Sequence, residues 1–150
     1  MIGIASDHRG YDLKQEIINR KNYKDYGTDG NTSVDYPLYA NKITKAVINK
    51  EIDLGILICG TGIGMSIAAN RIKGIRCAKV DNLEDAKYAK LHNNANVLAF
   101  SASKSIDFIL ECIDTFLANE ANQKRPSKLD GLFVIKCQIL HHVVRFFAIL

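Results

Sequence analysis

Short apolar runs alternating with amphipathic stretches constrain this chain more than any other feature. Met1-Ile2-Gly3-Ile4-Ala5 leads into the polar loop Ser6-Asp7-His8-Arg9-Gly10, after which Leu13, Ile17 and Ile18 fall on one helical face. Tyr23 to Thr28 reads as a short second strand. Asn31 to Asp35 is a polar loop that ends before Tyr36-Pro37, where proline suits the first turn of a helix with Leu38, Ile43, Ala46 and Val47 on its buried side. A third strand, 53–58, runs into a glycine loop, and a helix through Ile67, Ala68 and Ile72 stops near Gly74. Strand, helix, strand and long helix then follow over Ile75 to Val80, Asn82 to Leu91, Asn96 to Phe100 and Ser105 to Leu117.

Helices placed between short apolar strands imply a parallel sheet covered on both faces. The expected architecture is a Rossmann-like three-layer α/β/α sandwich with a mostly parallel five-stranded sheet. With 150 residues, 47% of them hydrophobic, the chain buries one core, so a single domain over residues 1–118 is expected. Residues 119–150 form an atypical C-terminal tail.

Charge and cysteine usage exclude several classes. The formal charge is +4 and the lysines are scattered rather than grouped with aromatics, which argues against nucleic acid and is compatible with a phosphorylated small molecule. Cys59, Cys77, Cys112 and Cys137 have no CxxC spacing, so neither a metal site nor a redox pair is indicated. No signal peptide is seen, and reduced thiols in the cytoplasm are expected.

The stretch Cys59-Gly60-Thr61-Gly62-Ile63-Gly64 concentrates the chemistry. A glycine turn opening a helix presents backbone N–H groups and roughly half a positive charge, and a thiol there has its thiolate stabilised. Cys59 is therefore a candidate base or nucleophile. Isolated cysteines at strand ends are more often structural, but the glycine loop reverses that expectation; Cys77, Cys112 and Cys137 keep the structural reading. The spacing of Gly60, Gly62 and Gly64 is a poor dinucleotide fingerprint. Ligands in parallel sheets sit beyond the carboxyl ends of strands. This groups Ser6-Asp7-His8-Arg9, Cys59 to Gly64 and Asp81-Asn82, whereas alternation alone leaves the edge occupied by His92-Asn93-Asn94 open.

Several blocks, taken together, resemble the type B ribose-5-phosphate isomerases, a group that also contains the galactose-6-phosphate isomerase subunits. They are Ser6-Asp7-His8-Arg9-Gly10, Asp35-Tyr36-Pro37 with Tyr39-Ala40, Gly55 to Gly64, Ala68-Ala69-Asn70-Arg71, Gly74-Ile75-Arg76, and His92-Asn93 followed by Asn96-Val97-Leu98-Ala99-Phe100. The resemblance implies interconversion of ribose 5-phosphate and ribulose 5-phosphate in the pentose phosphate pathway, with no metal or nucleotide cofactor. It also implies a homodimer, or a tetramer, with sites completed by the neighbouring subunit. Such a reaction moves a proton between C1 and C2 through an enediolate, which needs a base and an oxyanion-stabilising device.

Under this resemblance Cys59 is the base, and Thr61 with the glycine amides holds the oxyanion. His92 opens the sugar ring and Asp7 orients a sugar hydroxyl. His8, Gly60, Gly62, Ile63, Gly64 and Asn93 bind substrate, His8 at the phosphate. Two alternatives are an isomerase of a six-carbon sugar phosphate (galactose 6-phosphate or allose 6-phosphate) and a non-catalytic member with impaired phosphate binding.

The family pattern fails toward the carboxyl end. Family members follow the long helix with a Gly-Gly-Arg-His-like segment and a second arginine that bind phosphate; this chain reads Asn119-Glu120-Ala121-Asn122-Gln123-Lys124-Arg125-Pro126. Another family arginine is replaced around Ser103, with Lys104 adjacent, and lysine lacks the bidentate fork. The apolar run over 129–150 is expected to pack on a partner subunit, a membrane span and a changed reading frame being the other readings.

Overall fold

Side chains alternate along the central strands, so each strand feeds two apolar layers. The computed structural model describes residues 1–121. Its strands are β1 (Ile2–Ser6), β2 (Lys24–Asp25), β3 (Leu54–Cys59), β4 (Cys77–Lys79) and β5 (Val97–Ser101). On one side of the sheet Ile4, Ile56, Ile58, Leu98 and Phe100 pack against α1 (Tyr11–Arg20), α4 (Leu83–Leu91) and α5 (Ile106–Leu117). On the other, Ala5, Leu57, Cys59, Val97 and Ala99 pack against α2 (Tyr36–Ile48) and α3 (Ile63–Asn70). Each large aliphatic buried in these layers contributes roughly 1.5–3 kcal/mol.

The strand order is β2-β1-β3-β5-β4, and every pairing among the described residues is parallel, where the sequence predicts a mostly parallel sheet. Right-handed crossovers account for the layering. The chain steps outward from β1 to β2 with α1 on one face. It then reverses across the sheet to β3 and on to β4, which puts α2 and α3 on the other face. The return to β5 brings α4 back to the face of α1, with α5 packed against both.

Local signals set the element ends. Asn82 Oδ1 accepts from the Asp85 N–H at 2.8 Å and Ser105 Oγ from the Phe108 N–H at 3.3 Å, capping α4 and α5. The second strand outlasts its two regular residues: Tyr26 N–H donates to Ile4 O, Ser6 N–H to Gly27 O and Thr28 N–H to Ser6 O. The strand expected over Ile75 to Val80 shrinks to Cys77–Lys79. Before it, Arg76 N–H turns instead to the Asn96 side chain at 2.8 Å.

One helical face differs from the sequence reading, and a second is left open by it. Leu38 of α2 is 60% exposed, and the helix buries Ala40, Ile43, Thr44 and Ala46. Ile67 of α3 is 59% exposed, because Met65 and Ala69 face the sheet. Among the described residues no helix is long and apolar enough to cross a membrane. The apolar run over 129–150 lies outside the described residues, as does most of the expected tail.

Candidate active site

The strand order reverses direction at β1, whose chain neighbour β2 lies on one side and β3 on the other. A crevice opens at the carboxyl ends of strands at such a point. The loops after β1 and β3 meet there: the Asp7 N–H donates to Ile58 O at 3.1 Å, so loop 7–10 leans on the last turn of β3. From the other side the Ala102 N–H donates to Cys59 O and Ser101 Oγ to Gly60 O, both at 2.8 Å. Cys59 thus stands at the end of the central strand, fixed from both flanks.

The Cys59 side chain is buried, and its sulfur accepts a hydrogen bond from the Gly62 N–H at 3.2 Å. Gly62 begins α3 with φ +76°, a left-handed conformation that a side chain resists. A methyl there would also meet the Phe100 carbonyl carbon at 3.0 Å. The Ile63 N–H donates to Thr61 Oγ at 3.3 Å, leaving the exposed Thr61 hydroxyl hydrogen to donate elsewhere. A thiol, a free hydroxyl and the positive end of a helix therefore share one loop.

Asp7 is almost fully buried. Its Oδ1 accepts from the Arg9 N–H at 2.9 Å and the Gly10 N–H at 3.2 Å, while Oδ2 accepts from no described group. The capping role and a role toward a ligand thus fall on different oxygens of one carboxylate. Half-buried His8 accepts the Val34 N–H at Nδ1, 3.2 Å, so the neutral ring carries its proton on Nε2.

His92 and Asn93 lie elsewhere. Helix α4 starts beyond the carboxyl end of β4 and runs back to the amino end of β5, so its C-cap His92 sits at the opposite edge of the sheet from Cys59. The Arg76 guanidinium Nε–H donates to Asn94 O, and Asn96 Nδ2 to Gly74 O, binding the two amino-edge connections together. The His92 ring lies 5.0 Å from the Tyr88 ring. Six residues of β3 separate the edges, a span of about 20 Å. Within one chain Cys59 and His92 are not brought together.

Three residues with no role assigned from sequence also border the loop. The Tyr36 ring lies against Gly64, where a methyl would meet its carbons at 2.9–3.3 Å. Ser101 Oγ also stands 2.8 Å from Ser103 Oγ. The Arg9 stem crosses Gly60. Tyr36 and Arg9 occur within blocks recognised in the sequence, where they read as a helix start and a loop residue; contact across loops has no local signature. Lys104 Nζ donates to Asp81 O at 3.0 Å and lies 3.8 Å from its carboxylate. Hydrogen bonding from Lys79, with the nearby charges of Lys79 and Lys104, holds the Asp81 carboxyl below its usual range. Among the described residues, no three His, Cys, Asp or Glu side chains cluster as a metal ion would require.

Residues 2–130 match the family model described as Ribose/Galactose Isomerase. The chain belongs to the ribose/galactose isomerase family. A Rickettsia conorii protein, whose name gives only a provisional assignment as a sugar phosphate isomerase, is 49% identical over 133 residues, 84% of this chain and 92% of that protein. The galactose-6-phosphate isomerase subunit LacB of Clostridium acetobutylicum is 39% identical over 134 residues, 85% of this chain and 76% of that one. Among solved structures, the Clostridium thermocellum ribose-5-phosphate isomerase B superposes with TM-score 0.82 at 42% identity, covering 92% of this chain and 98% of that one. Membership in this family of sugar-phosphate isomerases identifies a small sugar phosphate as the class of substrate.

Proposed function

We propose that this family member interconverts ribose 5-phosphate and ribulose 5-phosphate. The observation that carries the reading is the buried Cys59 thiol, hydrogen-bonded by the amide of Gly62, the N-cap of α3, and flanked by the Asp7-His8 loop. From the open-chain aldose the Cys59 thiolate takes the C2 proton, and the C–H electron pair forms the C1–C2 double bond while negative charge collects on O1. A proton passes from O2 to O1, the thiol returns its proton to C1, and the carbonyl is left at C2 as the ketose. Thr61 and the amides of Gly60, Gly62, Ile63 and Gly64 hold the developing oxyanion. Asp7 orients a sugar hydroxyl through Oδ2, and His8 meets the phosphate through Nε2.

Ring opening by His92, with Asn93 on the sugar, requires a second copy of the chain, since one chain holds these residues at the far edge of its sheet. A homodimer in which each subunit lends its amino edge to the other's carboxyl edge satisfies this requirement. The exposed apolar side chains Leu38, Ile63 and Ile67, on the α2 and α3 side, supply surface for such a contact. We assign residues 1–118 to the catalytic unit and the tail from 119 to the subunit contact. The unpaired thiols of Cys59, Cys77 and Cys112 suit a cytoplasmic enzyme of the pentose phosphate pathway.

Similarity to the LacB subunit favours a second reading, isomerisation of a six-carbon sugar phosphate. Parallel kinetics on ribose 5-phosphate, galactose 6-phosphate and allose 6-phosphate separate the two. The five-carbon assignment requires the highest kcat/KM on ribose 5-phosphate and falls if a hexose phosphate exceeds it.

A further inference from the structure

We propose that Arg9 grips the phosphate of the substrate in this chain, an inference that rests on the sugar-phosphate reading of the Cys59 site. The backbone of Arg9 is fixed, because its N–H donates to Asp7 Oδ1 at 2.9 Å. The next residue presses against β3, where a methyl on Gly10 would stand 2.9 Å from Ile58 O. From this anchor the side chain runs across Gly60. A methyl on Gly60 would meet Arg9 Cδ at 2.9 Å and lie 3.8 and 3.9 Å from Nε and Nη1. The absence of a side chain at Gly60 is what lets the stem lie there, and it delivers the guanidinium to the Cys59–Gly64 loop.

Several other cations are already paired with carboxylates. Lys104 and Lys79 are committed to Asp81, Lys14 to Asp25, and Arg20 to Asp107. The exposed Arg9 guanidinium has no hydrogen bond or ion pair to any described residue. It offers a planar fork suited to two phosphate oxygens. The Nε2–H of His8, one residue away, supplies a further donor. On the far flank of Gly60 the Ser101 hydroxyl donates to the Gly60 carbonyl and pairs with the Ser103 hydroxyl, contributing no charge. A dianionic group entering the crevice thus finds its unpaired cation on the Arg9 side. An exposed position suits the phosphate end of the substrate rather than the enediolate, which forms beside the buried thiol.

The test uses the full chain, ribose 5-phosphate for turnover and inorganic phosphate as a calorimetric probe. Loss of a charge-assisted contact predicts that Arg9→Ala raises KM and the phosphate Kd by ~10- to 100-fold while kcat changes less than ~3-fold. Arg9→Lys recovers part of the affinity. Gly60→Ala displaces the Arg9 stem and raises KM and the phosphate Kd in the same direction. Wild-type turnover with unchanged KM and phosphate affinity in Arg9→Ala overturns the proposal and leaves the isomerase reading intact. Arg9-dependent phosphate binding without turnover on any sugar phosphate supports Arg9 and overturns the isomerase reading. A wild-type chain that binds no phosphate overturns the proposal.

Discussion

The amide of Gly62 donates its hydrogen to the sulfur of Cys59 at 3.2 Å, so the residue that opens α3 also holds the thiol at the end of β3. This contact depends on a backbone conformation natural to glycine. At φ +76°, and with the Phe100 carbonyl oxygen 3.1 Å from an added methyl, Gly62→Ala strains the loop by about 1–3 kcal/mol. Urea denaturation should register that loss. Isomerase activity should fall further than stability does, because the shift moves the donor away from Cys59.

Placement of Cys59 and His92 at opposite sheet edges makes a prediction about mixing subunits. Cys59→Ala and His92→Ala should each be nearly inactive alone. After subunit exchange, half of the dimers carry one site free of both substitutions, so activity should return to about a quarter of wild type in a symmetric dimer. Failure of the mixture to regain activity under demonstrated exchange would exclude the shared site.

Lys14 is fully buried, and its ammonium donates to both Asp25 oxygens at 2.7 and 2.6 Å and to Thr28 O at 2.9 Å. Removing one partner of such a pair strands the other, so Lys14→Met should cost roughly 3 kcal/mol, the low end for buried pairs because Asp25 keeps some solvent contact. A denaturant midpoint unchanged from wild type would show that the pair stabilises nothing.

Burial pushes the Cys77 thiol up to about 12, and burial followed by the charge of Glu111 pushes Cys112 up to about 11. In the unfolded chain these thiols ionise near pH ~8.5, so between there and the native values the unfolded state releases protons that the native state retains. Stability contributed by the neutral thiols is complete below that range and declines as pH rises through it. Unfolding free energies at pH 8 and pH 10 should show the decline, and Cys77→Ala should flatten it.

Much of this architecture was legible because alternation of apolar runs and helices dictates a parallel sheet, and β1, β3 and β5 carry that pattern without ambiguity. The buried face of α3 was not. In Ile63-Gly64-Met65-Ser66-Ile67-Ala68-Ala69-Asn70 apolar residues occur on every side, so periodicity cannot choose Met65 over Ile67. Burial of Lys14 was hidden for another reason: its partners Asp25 and Thr28 join it only through folding. In the candidate site, Cys59, Asp7 and His8 converge as the strand-end rule predicts. Arg9 and Tyr36 received no role because their contacts with Gly60 and Gly64 are made across loops.

The central claim is that Cys59 carries the proton in a sugar-phosphate isomerisation. Incubating the enzyme with ribose 5-phosphate in deuterium oxide, and following ribulose 5-phosphate and its isotopic content, tests it most directly. The wild-type chain should form the ketose with some solvent deuterium at C1, and Cys59→Ala should lose both turnover and exchange by about 10²- to 10⁴-fold, the usual contribution of a positioned base. Undiminished isomerisation and exchange in a folded Cys59→Ala variant would contradict the account.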